Sequence, residues 1–195
     1  IYTGWYTLSL HDALPILKTF CRLKISQRKL LALGKELGAD VPFFIVQAPQ
    51  ALAWGIGEKM QKTVCRSRLW FLLLLSDQGL NTKKVYQNLC GKGKPLSLTK
   101  EKRIARILCY FFGKKRIREA AELVRNDLES SAFYLRPSIA KAIAKLKNAG
   151  APFVHMTGSG PTVFAVLSSR REASDLTRKL KGYPIPFRKV ICHSL

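Results

Sequence analysis

Two short stretches of this 195-residue chain carry residues in patterns that could do chemistry, and they lie far apart. The first is Leu37-Gly38-Ala39-Asp40-Val41-Pro42-Phe43-Phe44, which sets one carboxylate in an apolar, Gly- and Pro-punctuated turn. An ionised carboxylate is costly to bury without partners, so Asp40 is exposed, paired with a cation or held for chemistry. A plain alternative stays open, in which Asp40 ends a helix by accepting backbone N–H groups. The second stretch is Met156-Thr157-Gly158-Ser159-Gly160-Pro161-Thr162-Val163-Phe164. Glycines on both sides of a hydroxyl residue let backbone N–H groups approach an anion, one way of cradling phosphate. The same residues also suit a β-hairpin turn between two strand-like runs. No Walker-type Gly-x-x-x-x-Gly-Lys pattern accompanies them.

Taken in order, the two stretches resemble the GHMP kinase superfamily. The resemblance runs on through Gly55-Ile-Gly-Glu58, Asn81-Thr82 with Val85-Tyr86, Asn126-Asp-Leu-Glu129 and Ala149-Gly-Ala151, so that it covers about Leu17 to Leu195. Within the superfamily the pattern is most similar to the branch that phosphorylates a cytidine diphosphate alcohol. The resemblance implies ATP as co-substrate with Mg2+ accompanying it, and a small-molecule acceptor whose tertiary hydroxyl receives the γ-phosphoryl group. Asp40 would then accept the hydroxyl proton, and Thr157, Gly158, Ser159 and Gly160 would support the ATP-phosphate loop. Tyr86 would lie against the cytosine ring, where a π-face suits a flat base; alternatively it is helix core with Val85 and Leu89. Thr82 is a substrate contact or, the preferred reading, the cap of its helix. Trp54 stands where the family carries a polar residue, and nothing in the sequence explains it.

Two family features do not occur in the sequence: a lysine in an early strand, and a run of the Gly-Leu-Gly-Gly-Gly-Ser-Ser type around the ATP phosphates. Residues 1–16 read instead as the translation of a sequencing-library adapter, Thr7-Leu-Ser-Leu-His-Asp-Ala-Leu-Pro-Ile16 being its clearest part. They are set aside as a non-native leader. Residues 17–65 are expected to be a remnant of the superfamily's amino-terminal domain and 66–195 its carboxy-terminal domain. By itself such a fragment is expected not to transfer phosphate. Another GHMP small-molecule kinase, of the homoserine or mevalonate type, is the second reading.

Composition sets wider limits. With 47% hydrophobic residues the chain can bury a core, and its longest apolar run, Leu69 to Leu75, is far shorter than the roughly 20 residues that cross a bilayer. No membrane partner is expected. Five cysteines without a Cys-x-x-Cys pair point to reduced thiols in the cytosol, or in a plastid, rather than to disulfides or zinc. His155 and His193 have no partner at ligand spacing, and no metal site is expected. The net charge of +22 admits a third class, a basic nucleic-acid binder. That reading is disfavoured, because the basic residues between Lys83 and Arg118 interleave with Ile104, Ile107, Leu108 and Phe111 as the solvated face of an amphipathic helix.

The elements that must position these residues follow from periodicity. A helix capped by Ser26 carries Leu30, Leu33 and Leu37 and stops at Gly38. Strands are expected at 43–46 and 51–54, then a linker over 62–68. Beyond it come a strand at 69–75, helices at 82–89, 99–112 and 115–129, and a helix from Pro137 to Gly150. Strands at 152–156 and 161–167, a helix at 170–181 and a strand at 187–192 complete the order. The fold class is α+β: an antiparallel sheet with helices on one face, for which the resemblance implies a ferredoxin-like form.

Overall fold

A computed structural model describes residues 18–38, 41–46, 50–54, 59–63, 67–89, 98–181 and 187–194. The chain divides into two compact units, Ile1–Val64 and Cys65–Leu195.

In the first unit, helix α1 (Gln27–Leu37) opens at Ser26, whose hydroxyl accepts the Lys29 N–H at 3.3 Å, and closes at Gly38. Helix α2 (Val41–Val46) follows. The expected strand at 43–46 is therefore a helix. A short apolar run has no period of its own, and here Pro42 stands in the first turn, where its missing N–H costs nothing. Leu30, Val41 and Ile45 form the small core, with Ile25 and Leu31 against it. Gly34 faces Val41 and Ile45 so closely that a Cβ would collide with the Ile45 side chain. Leu37, expected on the apolar stripe, is instead 55% exposed. Strands β1 (Ala51–Trp54) and β2 (Lys59–Lys62) pair antiparallel, with Trp54 opposite Lys59 and Ala51 opposite Lys62. Lys62 thus ends a strand rather than starting a linker.

The second unit contains β3 (Trp70–Leu75), α3 (Thr82–Gln87), α4 (Leu98–Gly113), α5 (Ile117–Leu123), α6 (Glu129–Leu135), α7 (Pro137–Asn148), β4 (Phe153–Met156), β5 (Val163–Leu167), α8 (Arg170–Lys179) and β6 (Arg188–His193). The sheet order is β4-β5-β3-β6, antiparallel throughout. Its first strand lies between its third and fourth, which is the ferredoxin-like arrangement. Helix α7 begins with Pro137 and ends in a Schellman turn, where Gly150 takes φ +95° and Ala151 N–H reaches Leu146 O at 3.0 Å.

Alternate strand residues enter two different cores. Leu72, Leu74, Val154, Met156, Val163, Ala165 and Leu167 pack with Ile139, Ile143, Leu146 and Leu176 of α7 and α8. Leu69, Phe153 and Val166 pack on the opposite side with Ile117 and Ala120 of α5, together with Leu108, Phe111 and Phe112 of α4. Both faces of the sheet are therefore covered, and the expectation of helices on one face is corrected. Burial on two sides also explains why Leu69 to Leu75 shows no polar alternation.

The helix expected at 115–129 is broken. Val124 turns extended, at φ −99° and ψ 134°, and the chain resumes helix only at Glu129. Asn126 causes the break by bonding elsewhere: its Oδ1 accepts the Leu128 N–H at 3.0 Å while its amide points across to β4. No helix of the described residues is long and apolar enough to cross a membrane.

Candidate functional site

The loop 157–162 joins β4 to β5, as the hairpin reading expected. Thr157 N–H reaches Thr162 O at 2.9 Å and Gly160 N–H reaches Thr157 O at 2.8 Å, which closes it. Gly158 has φ +49° and Gly160 φ +82°, both in the region that favours glycine. At Gly160 a side chain would also press into the Met156 sulfur, 2.6 Å from the position of a Cβ. Nothing lies within 4 Å of a Cβ placed on Gly158, so that side of the turn is open. The N–H groups of Gly158 and Ser159 have no backbone acceptor among the described residues. Successive free N–H groups on a left-handed turn form a concavity suited to an anion.

Three side chains bond this turn or the strand end that leads into it. Asn126 Nδ2 donates to Met156 O at 3.0 Å and to Gly158 O at 2.8 Å. Glu129 Oε1 accepts Met156 N–H at 2.9 Å and lies 3.1 Å from His155 Nδ1. Thr82 Oγ1 and Ser159 Oγ are 3.0 Å apart and share a hydrogen bond. Asn126 and Glu129 belong to the Asn126-Asp-Leu-Glu129 string, to which sequence reasoning gave no role. The signal was present in the polar residues interrupting an otherwise helical stretch, but their target lies 27 to 32 positions away.

Thr82 is not the cap of α3. Asn81 caps it, its Oδ1 accepting the Lys84 N–H at 3.1 Å, and Thr82 is the first helical residue. Its hydroxyl is thereby free to meet Ser159. Tyr86 lies one turn along α3 on the same side as Thr82. It is 59% exposed while Val85 beside it is fully buried, so Tyr86 is not helix core. The structure thus gathers Thr82, Thr157, Gly158, Ser159 and Gly160, with Tyr86 a turn away. Asp40 lies outside the described residues. Trp54 ends β1 without an evident role in a site.

Glu129 is the perturbed carboxylate of the group. Burial works to raise it, but the hydrogen bonds from His155 and from Met156 N–H outweigh that, and with the nearby charges of His155 and Lys147 they hold it below its usual 4.5. A depressed carboxylate contributes stability that is complete above the unfolded-state value and is lost as pH falls through the folded-state value. Glu129→Gln, which keeps an acceptor but no charge, is therefore expected to lower Tm by roughly 3–6 °C at neutral pH, corresponding to about 1 kcal/mol. That difference should close below the usual carboxylate range. A melting series from pH 7 to pH 3 on both proteins checks this, and a gap that stays constant with pH would assign Glu129 a packing role only.

No group of three or more His, Cys, Asp and Glu among the described residues could hold a metal ion. A cavity of about 570 Å³ sits at the far end of β4 from the 157–162 loop, lined by Lys115, Arg118, Gly150 and Lys179 among others. Two of its carboxylates are already engaged, Glu119 with Arg116 and Asp175 with Arg178. It does not adjoin the turn.

This geometry, a ferredoxin-like sheet with an anion-ready Thr-Gly-Ser-Gly turn, is accompanied by a match of residues 110–185 to the family model described as GHMP kinases C terminal. The chain belongs to the GHMP kinase family. Among its relatives, the 4-diphosphocytidyl-2-C-methyl-D-erythritol kinase of Syntrophus aciditrophicus (strain SB) is 34% identical over 155 residues, which cover 79% of this chain and 52% of the relative. The chain spans about half the length of the curated relatives it matches. A solved 4-(cytidine 5'-diphospho)-2C-methyl-D-erythritol kinase superposes with a TM-score of 0.72 at 22% identity, covering 94% of this chain and 62% of the other. The homoserine kinase from Cytophaga hutchinsonii does so at 0.66 and 16% identity, covering 95% and 62%. At these identities the solved structures speak for the fold.

Proposed function

We propose that this protein serves ATP-dependent phosphorylation of the 2-hydroxyl of 4-diphosphocytidyl-2-C-methyl-D-erythritol, a step of non-mevalonate isoprenoid synthesis. The observation that carries the reading is the 157–160 turn, with two N–H groups directed at no backbone acceptor among the described residues and the side chains of Asn126 and Thr82 bonded to it. Such a turn fits a phosphate group, and phosphoryl transfer asks a protein mainly for positioning and charge stabilisation. Asp40 is the base that takes the hydroxyl proton, and Tyr86 and Thr82 face the cytidine side of the substrate. The 34% identical relative bearing that name favours this acceptor over homoserine or mevalonate. Magnesium would enter on the phosphate oxygens of ATP, as it commonly does, and no metal ligand is assigned to the chain. A cytoplasmic or plastid setting suits the five cysteines.

The test supplies the missing glycine-rich loop. The amino-terminal half of the Syntrophus relative is fused ahead of Lys18, and transfer from γ-labelled ATP is measured to the cytidine diphosphate alcohol, to homoserine and to mevalonate. Transfer to the first alone is the expected result. Transfer to homoserine or mevalonate instead moves the protein to another branch of the family, and a soluble fusion that transfers to none overturns the kinase reading.

A further inference from the structure

The segment Asn126 to Arg136 reaches both halves of the candidate site, and its far end makes contacts that no motif announced. Arg136 stands between α6 and α7. Its guanidinium donates to Gln78 O at 2.6 Å and Gly79 O at 3.1 Å, and more weakly to Ser76 Oγ at 3.3 Å and Gln78 Oε1 at 3.4 Å. These acceptors form the turn between β3 and α3, itself tightened by Ser76 Oγ donating to Gln78 O at 3.0 Å. Five residues earlier, the buried Ser131 hydroxyl donates to Val85 O at 2.6 Å, within α3 itself. So α6 and its flanks grip the turn that launches α3 and the helix that carries Tyr86, while Asn126 bonds Gly158 O in the 157–160 turn and Glu129 bonds Met156 N–H at the strand end just before it.

We propose that Arg136 is a positioning residue for the nucleobase side of the site, acting through the 76–80 turn on Thr82 and Tyr86, and that the 126–136 segment sets the spacing between base and phosphate. This rests on the function proposed above. The physical reason for Arg at 136 is its fork: two nitrogens reach two successive carbonyls at once, which a single ammonium cannot reproduce. Tyr86 touches no described aromatic partner, so its place on the surface depends on the backbone beneath it. The Thr82–Ser159 hydrogen bond closes the circuit between the two halves.

The experiment titrates CDP into the full 195-residue chain by calorimetry and follows amide hydrogen exchange over residues 76–88 and 157–162. Arg136→Ala is expected to weaken CDP binding about tenfold or more and to speed exchange over 76–88, leaving 157–162 as in the parent. Arg136→Lys should recover only part of the affinity. Asn126→Ala should show the converse exchange pattern, with 157–162 loosened and 76–88 unchanged. If Arg136→Ala binds CDP as the parent does, or loosens both segments equally, the positioning role is overturned. If the parent chain binds no CDP while its exchange pattern responds to Arg136→Ala as described, the cytidine reading of α3 falls, and with it the base-side role of Arg136; a tethering role alone remains.

Discussion

Asp40→Asn, made in the fusion that carries a glycine-rich loop, is expected to lower kcat by about 10²- to 10⁴-fold with KM for either substrate changed by less than roughly threefold. The amide keeps the size of the side chain and one acceptor oxygen, so binding groups stay in place. On the proposed function, what it loses is the capacity to take the hydroxyl proton as the oxygen attacks the γ-phosphorus. A tertiary alcohol is a poor nucleophile while protonated, which makes this loss appear in turnover rather than in affinity. Steady-state kinetics on the purified fusion checks it. If kcat is unchanged while Tm falls, Asp40 is the helix-ending turn residue that Gly38-Ala39-Asp40 equally suggests.

The second large effect is on stability. Leu72→Ala is expected to cost about 2–5 kcal/mol. Leu72 is fully buried at the middle of the central strand, opposite Ala165 on β5 and Ile191 on β6, and packs into the core beneath α7 and α8. A neighbour as small as Ala165 cannot swing in to fill the space, so the cavity persists. Against a total stability of about 5–15 kcal/mol for a domain, this is a large fraction. Leu37→Ala, at a position 55% exposed, should change stability by no more than about 0.5 kcal/mol. Urea denaturation of the two variants gives the comparison. Equal midpoints would mean that the two-sided core around β3 is not what holds the second unit together.

The contrast between those two leucines shows where sequence reading stopped. Both sit in apolar patterns, Leu37 at helical spacing after Leu30 and Leu33, and Leu72 in an unbroken run. Periodicity put Leu37 on an apolar stripe and the unbroken run put Leu72 in a strand, yet α1 buries only Leu30 and Gly34, because α2 folds against that stripe and leaves the last turn open. The same ambiguity turned residues 43–46 into an expected strand, since six apolar residues in a row fit either period. By contrast, the segments with their own local signals were placed well. Ser26, Pro137 and Gly150 mark helix ends through backbone geometry that a single residue decides, and they do so in the structure.

The site divides along the same line. Gly158, Ser159 and Gly160 declare a turn by their own chemistry, and the motif order declares the family, so the sequence alone determined the class of protein and one turn of the candidate site. That Asn126 breaks a helix in order to bond Met156 O and Gly158 O, that Glu129 is held low by His155, and that Arg136 binds a turn 57 to 60 positions earlier were decided by the tertiary structure. Each depends on two side chains or backbone groups brought together by the sheet order β4-β5-β3-β6. A hydrogen bond between distant segments leaves no period and no composition bias behind it, whereas a cap or a glycine turn is written within a few residues of where it acts.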